Sequence, residues 1–200
     1  MTEHRAYIGI GSNLGDRDQT LGDAFDALDR IALTRVVARS SIYVTEPIAP
    51  TGEQQDYFNA VAALDTALAP KSLLDAMHAI EQNAGRTRQH AVRNTARTLD
   101  LDLLLYDDRT IDEPGLSVPH PRLADRAFVL VPLTEIAPAC LIPGLGAARA
   151  LLDRVAGQRI VRLPRRHSVP ADRADRADHA DHADPCGAGA SSSSQRSSGT

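Results

Sequence analysis

Two aspartates and a group of arginines carry the chemistry that can be read from this chain. The run ARTLDLDLLLY at residues 96–106 sets Asp100 and Asp102 inside an otherwise apolar segment, with Arg97 just upstream. Read as a β-strand, its alternation puts Leu99, Leu101, Leu103 and Leu105 on one face and Thr98, Asp100, Asp102 and Leu104 on the other. Two carboxylates about 7 Å apart along one strand face repel each other and stay hydrated unless cations sit beside them. Aspartate oxygens are hard ligands, and magnesium held by only a couple of protein carboxylates usually comes with substrate phosphates. The bland alternative is a strand with one solvated face, common in antiparallel sheets. Two aspartates inside a strand run against β-propensity, however, which asks for a reason beyond solubility.

Upstream of the strand lies RTRQHAVRNTAR, where Arg86, Arg88, Arg93 and Arg97 accompany His90 and no acidic residue. The planar guanidinium fork pairs bidentately with phosphate oxygens, so such a loop could close as a lid over a polyphosphate. Alone it would read as an exposed basic loop; its attachment to Asp100 and Asp102 favours the lid. Downstream, VPHPRLADRAF at 118–128 sets His120 and Arg126 around a proline-stiffened turn, as phosphate contacts or as plain surface residues.

The elements that must position these groups follow a regular order. Residues 5–11 read as a strand, and a glycine-containing loop opens a helix over 17–32, with Asp16 and Gln19 as a capping box. Residues 35–46 and 57–67 are β-rich, and Pro47, Pro50 and Gly52 break the loop between them. A second helix starts at Pro70, carries Leu73, Met77, Ile80 and Ala84 as its stripe, and stops at Gly85. With the aspartate strand next, the order is β-α-β-β-α-β. This is the split-βαβ, ferredoxin-like pattern of an α+β sandwich, an antiparallel sheet with two helices on one face. Short helical pieces broken around Pro132 over 122–137, a helix over 147–155 and a strand over 158–163 read as additions to it.

The 200 residues, 42 % of them hydrophobic, allow one domain with a substantial core. Residues 1–164 are assigned to it. From Arg165 the repeating ADRADRADHADHAD and the serine-rich end lack apolar residues, so 165–200 reads as a disordered tail. A net charge of -4 argues against a surface built for nucleic acid. Cys140 and Cys186 have no metal-ligand spacing, and the amino terminus shows no signal or membrane segment. A cytoplasmic protein is expected.

Together, YIGIGSNLGDR, SSIYVTEPI, DYFNAVAALDT, GRTR, ARTLDLDLLLY, VPHPRLADRAFVLVPL and EIAP, spread over residues 5–155, resemble the 6-hydroxymethyl-7,8-dihydropterin pyrophosphokinases of folate biosynthesis. The resemblance implies transfer of an intact pyrophosphoryl group from ATP to the pterin's hydroxymethyl oxygen, releasing AMP, on a ferredoxin-like fold. It implies two magnesium ions at Asp100 and Asp102, with Arg86, Arg88, Arg97 and Asp102 in catalytic roles. The nucleotide site carries over onto Glu81, Arg88, Arg93, Arg97, His120 and Arg126. The pterin pocket carries over onto Thr45, Pro47, Ile48, Tyr57, Asn59 and Phe128, with Asn13 near the reacting end. Tyr57 and Phe128 can sandwich a flat aromatic ring while Asn59, both donor and acceptor, reads its edge. Without the family, the aromatics would be ordinary core and Glu81 an exposed helix residue.

The chain departs from some relatives at Ala96, Asn94 and Glu46, and its arginine loop is one residue longer, which bears most on the alignment of Arg93. ATP and the pterin are the expected partners of a monomer, with no nucleic acid and no membrane. Two rivals use the same residues differently: a two-metal nucleotidyltransferase that releases pyrophosphate, and a non-catalytic RNA- or anion-binding module built on the arginine loop.

Overall fold

The computed structural model describes residues 3–47, 54–85 and 97–164. Strands β1 (His4–Ser12), β2 (Thr34–Arg39), β3 (Tyr43–Thr45), β4 (Tyr57–Thr66) and β5 (Asp100–Tyr106) form one antiparallel sheet together with the late strand β10 (Ile160–Arg162). Its order is β10-β3-β4-β1-β5, and β2 pairs with the other end of β4. Helices α1 (Arg17–Asp29) and α2 (Pro70–Asn83) connect strands, and α3 (Ala127–Ile136) follows the sheet. Two small hairpins, β6 (Ile111–Glu113) with β7 (Leu116–Val118) and β8 (Leu141–Ile142) with β9 (Gly146–Ala147), lie off it.

Local signals account for the helices. Asp16 caps α1 by accepting from the Gln19 backbone N–H at 3.1 Å, satisfying one of the orphan donors of the first turn. The Gln19 side chain does not reciprocate; it donates to Asp23 one turn on, so the capping box is half formed. Leu21, Ala24, Phe25 and Leu28 recur at helical spacing and are all buried. Helix α2 opens on Pro70, whose missing N–H costs nothing at a first helical position, and gives way at Gly85, which takes a φ of +89°.

The sheet is covered on both faces. Leu21, Leu28, Leu73 and Met77 pack with Ile8, Ile10, Leu101 and Leu103 on one side. On the other, Leu130 and Leu133 of α3 and Leu151 of a 3-10 helix (Ala148–Val155) pack with Val61, Leu104 and Leu105. The segments expected as additions are thus a second layer. Pro132 does not break its helix: α3 runs through it as one element, and the burial of Val129, Leu130, Pro132 and Leu133 outweighs the missing backbone donor.

A second departure lies in β5. Tyr7 faces Leu105 and Ile8 faces Leu103, leaving Leu104 as the extra residue of a β-bulge. The bulge breaks strict alternation, so Leu105 joins Leu104 in the α3 layer instead of following Leu103, and Tyr106 returns to the first core. Asp100 and Asp102 lie before the bulge and keep the predicted separation from Leu101 and Leu103.

Candidate functional site

Sheet register, rather than any one motif, assembles the site. Gly11 of β1 is paired with Asn59 of β4 on one side and with Asp100 of β5 on the other. Gly9, two residues along and therefore on the same face, stands between Val61 and Asp102. Asn59, Gly11 and Asp100 form one row across the sheet, Val61, Gly9 and Asp102 the next. The glycines keep the floor between Asn59 and the aspartates low: a Cβ on Gly11 would stand 3.5 Å from Asn59 Oδ1, and one on Gly9 3.4 Å from Leu104 Cδ2.

A cleft opens over this floor. Thr45, Pro47, Tyr57 and Phe128 line it around Asn59, and Arg97 and Arg126 line it around Asp100 and Asp102. The Asn59 amide donates to Thr45 Oγ1 at 2.9 Å, which fixes which way its buried side chain is turned. The Arg126 guanidinium lies 5.3 Å from the centre of the Phe128 ring, joining the aromatic part of the wall to the charged part.

The aspartates are partnered by arginine, unequally. Arg97 Nη1 donates to Asp100 Oδ1 at 2.7 Å, whereas Arg126 Nη1 reaches Asp102 Oδ2 only at 3.4 Å and His120 Nε2 stands 3.9 Å from the same oxygen. Burial, and after it the charge of Asp100, pushes the Asp102 carboxyl above its ordinary value against the pull of His120, Arg126 and Arg97. Burial likewise lowers His120, with Asp102 opposing. Burial lowers Arg97 too, but Asp100 more than compensates, so that guanidinium holds its proton more firmly than usual. A carboxylate pair facing a cleft, one member of it held only loosely by its arginine, has the donor chemistry for a hard divalent cation. Among the described residues no group of three or more His, Cys, Asp or Glu stands ready to hold a metal, so protein carboxylates alone would leave most of an octahedral shell to other oxygens.

Three residues read as ligand contacts, Glu81, Asn13 and His120, are not among those that line the cleft. Glu81 is fully buried, and its Oε1 accepts the Leu101 backbone N–H at 2.9 Å. Leu101 lies between the two aspartates on a strand at the edge of the sheet, so the α2 carboxylate pairs a ladder donor that no strand takes up. Asn13 is also fully buried and ties two segments of the rim. Its Oδ1 accepts the Arg97 N–H at 2.7 Å, its own N–H donates to the Arg97 carbonyl at 3.1 Å, and its amide nitrogen reaches Gln54 Oε1 and the Gln55 carbonyl at 3.4 Å. Glu81 and Asn13 position the wall instead of lining it. His120 reaches the cleft only through Asp102, with Nε2 3.9 Å from its Oδ2. Ile48, Arg86, Arg88 and Arg93, with the tail at 165–200, lie outside the described residues. Sequence reading missed Gly9, Gly11 and Arg122 as lining residues. For the glycines the signal was present: two of them alternate in an apolar strand, where glycine marks close approach of another group.

An α+β sandwich whose cleft pairs an aromatic slot with an acidic, arginine-flanked end is a scaffold suited to bringing a flat ring and a polyanion together. A family model described as 7,8-dihydro-6-hydroxymethylpterin-pyrophosphokinase (HPPK) matches residues 7–138. The 2-amino-4-hydroxy-6-hydroxymethyldihydropteridine pyrophosphokinase of Pseudomonas aeruginosa is 44% identical over 160 residues, 80% of this chain and 97% of its own length. The enzyme of that name from Haemophilus influenzae is 39% identical over 158 residues, 79% and 97% of the two chains. Among solved structures, wild-type Plasmodium falciparum HPPK-DHPS with SDX-DHP matches at a TM-score of 0.61 and 14% identity, over 76% of this chain and 44% of that one, a likeness of fold. The chain belongs to the HPPK family and is a pyrophosphoryl transferase of folate biosynthesis. No described helix is long and apolar enough to cross a membrane.

Proposed function

We propose that the cleft binds hydroxymethyldihydropterin over Asn59 and Gly11 and the ATP phosphates over Asp100 and Asp102, so that the pterin hydroxyl meets the β-phosphorus between them. The observation that carries this is the pair of adjacent rows across the sheet, which set the aromatic slot and the aspartates side by side over a glycine floor. Tyr57 and Phe128 would hold the ring, Thr45 would fix the Asn59 amide, and Asn59 Oδ1 would read the ring's edge. Asp100 and Asp102 would hold two magnesium ions, whose chemistry when bound is to neutralise charge on the phosphate oxygens. Arg97 and Arg126, which face those carboxylates, would turn to the phosphates as the charge balance of the site changes. Arg86, Arg88 and Arg93, in the segment before β5, would add further cations, and the proton of the hydroxyl would leave towards Asp102.

The strand order β3-β4-β1-β5 supports a ferredoxin-like description of the sheet. We further infer a monomeric, cytoplasmic enzyme whose catalytic unit is residues 1–164, with no nucleic acid among its ligands. Incubation with ATP, magnesium and hydroxymethyldihydropterin, followed by identification of the nucleotide product, tests the reading. Pterin-dependent AMP is expected; ADP, pyrophosphate release or no turnover would overturn it.

A further inference from the structure

The charged side chains of the cleft wall fall into pairs with one remainder. Arg97 is paired with Asp100 at 2.7 Å and Arg126 with Asp102 at 3.4 Å. Glu46, the other acid of the wall, is paired with Arg159 at 2.6 Å. Arg122 also lines the cleft, and among the described residues no ion-pair partner stands against it. The nearby acid Asp125 is taken by Arg154 at 3.3 Å.

Arg122 is exposed, but its root is fixed. The His120 N–H donates to the Leu104 carbonyl at 2.9 Å, which ties the turn to the bulge of β5. The Leu123 N–H donates to the His120 carbonyl at 2.9 Å, and the Leu123 side chain is fully buried. The Arg122 N–H itself donates to His120 Nδ1 at 3.1 Å, which leaves Nε2 to carry the proton of a neutral ring on the side facing Asp102. The side chain thus leaves a rigid turn one strand bulge away from the aspartates. Three arginines around one cleft repel one another unless an anion enters.

We propose that Arg122 is a further phosphate-binding residue of this site, a cation that the carboxylates of the described residues leave unspent and that the phosphates of the nucleotide take up. The proposal rests on the nucleotide reading given above and adds to it a residue on the turn after β7. Because the side chain is exposed and its turn is held by backbone bonds, Arg122→Ala leaves the fold and the His120 contact in place.

The test compares full-length wild type with Arg122→Ala and Arg122→Lys, using α,β-methylene-ATP with magnesium as an unreactive probe in calorimetry and ATP in steady-state assays. Loss of one charge-assisted contact predicts a Kd for the probe about tenfold weaker in Arg122→Ala, with Arg122→Lys in between. The KM for ATP should rise to match while the KM for the pterin stays within twofold, and the salt dependence of probe binding should become shallower. An unchanged Kd in Arg122→Ala, with wild type binding normally, overturns the role of Arg122 alone. Equal losses in probe and pterin binding, or a lowered Tm, would make the residue structural and also overturn it. Failure of wild type to bind the probe would instead remove the nucleotide reading on which the proposal stands.

Discussion

A single carboxylate on α3 and a pair on β5 face opposite ends of the same sheet, and the protein treats them in opposite ways. Glu135, on α3, accepts from the Ser41 N–H at 2.9 Å, the Ser41 hydroxyl at 2.8 Å, the Tyr43 hydroxyl at 3.1 Å and Arg162 Nη2 at 3.1 Å. Burial works to raise its pKa, but the Ser41 and Tyr43 bonds with the charge of Arg162 outweigh it, so the carboxyl stays below its ordinary value of 4.5. That clasp fastens α3 and β10 to β3, the strand that carries Thr45. Asp102 has a distant arginine, a more distant histidine and a second carboxylate beside it, and its carboxyl is pushed up. One end of the sheet has more donors than its carboxylate needs; at the other, among the described residues, Asp102 has its arginine only at 3.4 Å and a second carboxylate for a neighbour. The first arrangement serves stability; on the proposed reading, the second awaits an incoming cation.

Removing a carboxylate should therefore do opposite things at the two ends. The largest effect is expected for Asp102→Asn. Turnover should fall about a thousandfold while Tm holds or rises, because the variant removes a charged ligand and also a like-charge repulsion. Activity within tenfold of wild type, or a protein that unfolds, would remove Asp102 from the functional end of the comparison.

Glu81 tests the boundary between the two kinds. Glu81→Ala leaves the buried Leu101 N–H without its acceptor, which should cost about 1–3 kcal/mol in denaturant unfolding and lower kcat by shifting the strand between the aspartates. Glu81→Gln keeps an acceptor oxygen and should recover most of both. A raised KM for ATP with stability intact would return Glu81 to the nucleotide.

Smallest is Glu135→Gln. A carboxyl with a lowered folded-state pKa stabilises the protein above its unfolded value, and the contribution fades as pH falls through the folded one. The variant should be less stable by about 1 kcal/mol at pH 7, and the gap should close below about pH 4 in matched thermal melts. A gap that persists in acid would mean that packing, not charge, holds the clasp.

Much of this was legible in the chain because it is local. The stripe of α1, the Pro70 start of α2 and the placement of Asp100 and Asp102 opposite Leu101 and Leu103 all depend on neighbours within a turn or two residues. The hydrogen bonds of Asn13 and Glu81 were not, since the first bonds a residue 84 positions away and the second one 20 positions away. No periodicity records such partners. The bulge at Leu104 escaped for a similar reason: one extra residue in β5 is defined only against Tyr7 and Ile8 of β1.

By itself, the sequence determined the residue types of the proposed site and their faces, because alternation in a strand and spacing in a helix are set by backbone geometry. Tertiary structure decided which of those residues meet. Only the register of β4, β1 and β5 brings Asn59, Gly11 and Asp100 into one row, and only the packing of α2 turns Glu81 from surface charge into the partner of an edge strand. The physical reason is that register and packing are settled by the simultaneous burial of distant segments, and a shift of one residue along β5 would have sent both aspartates into the core.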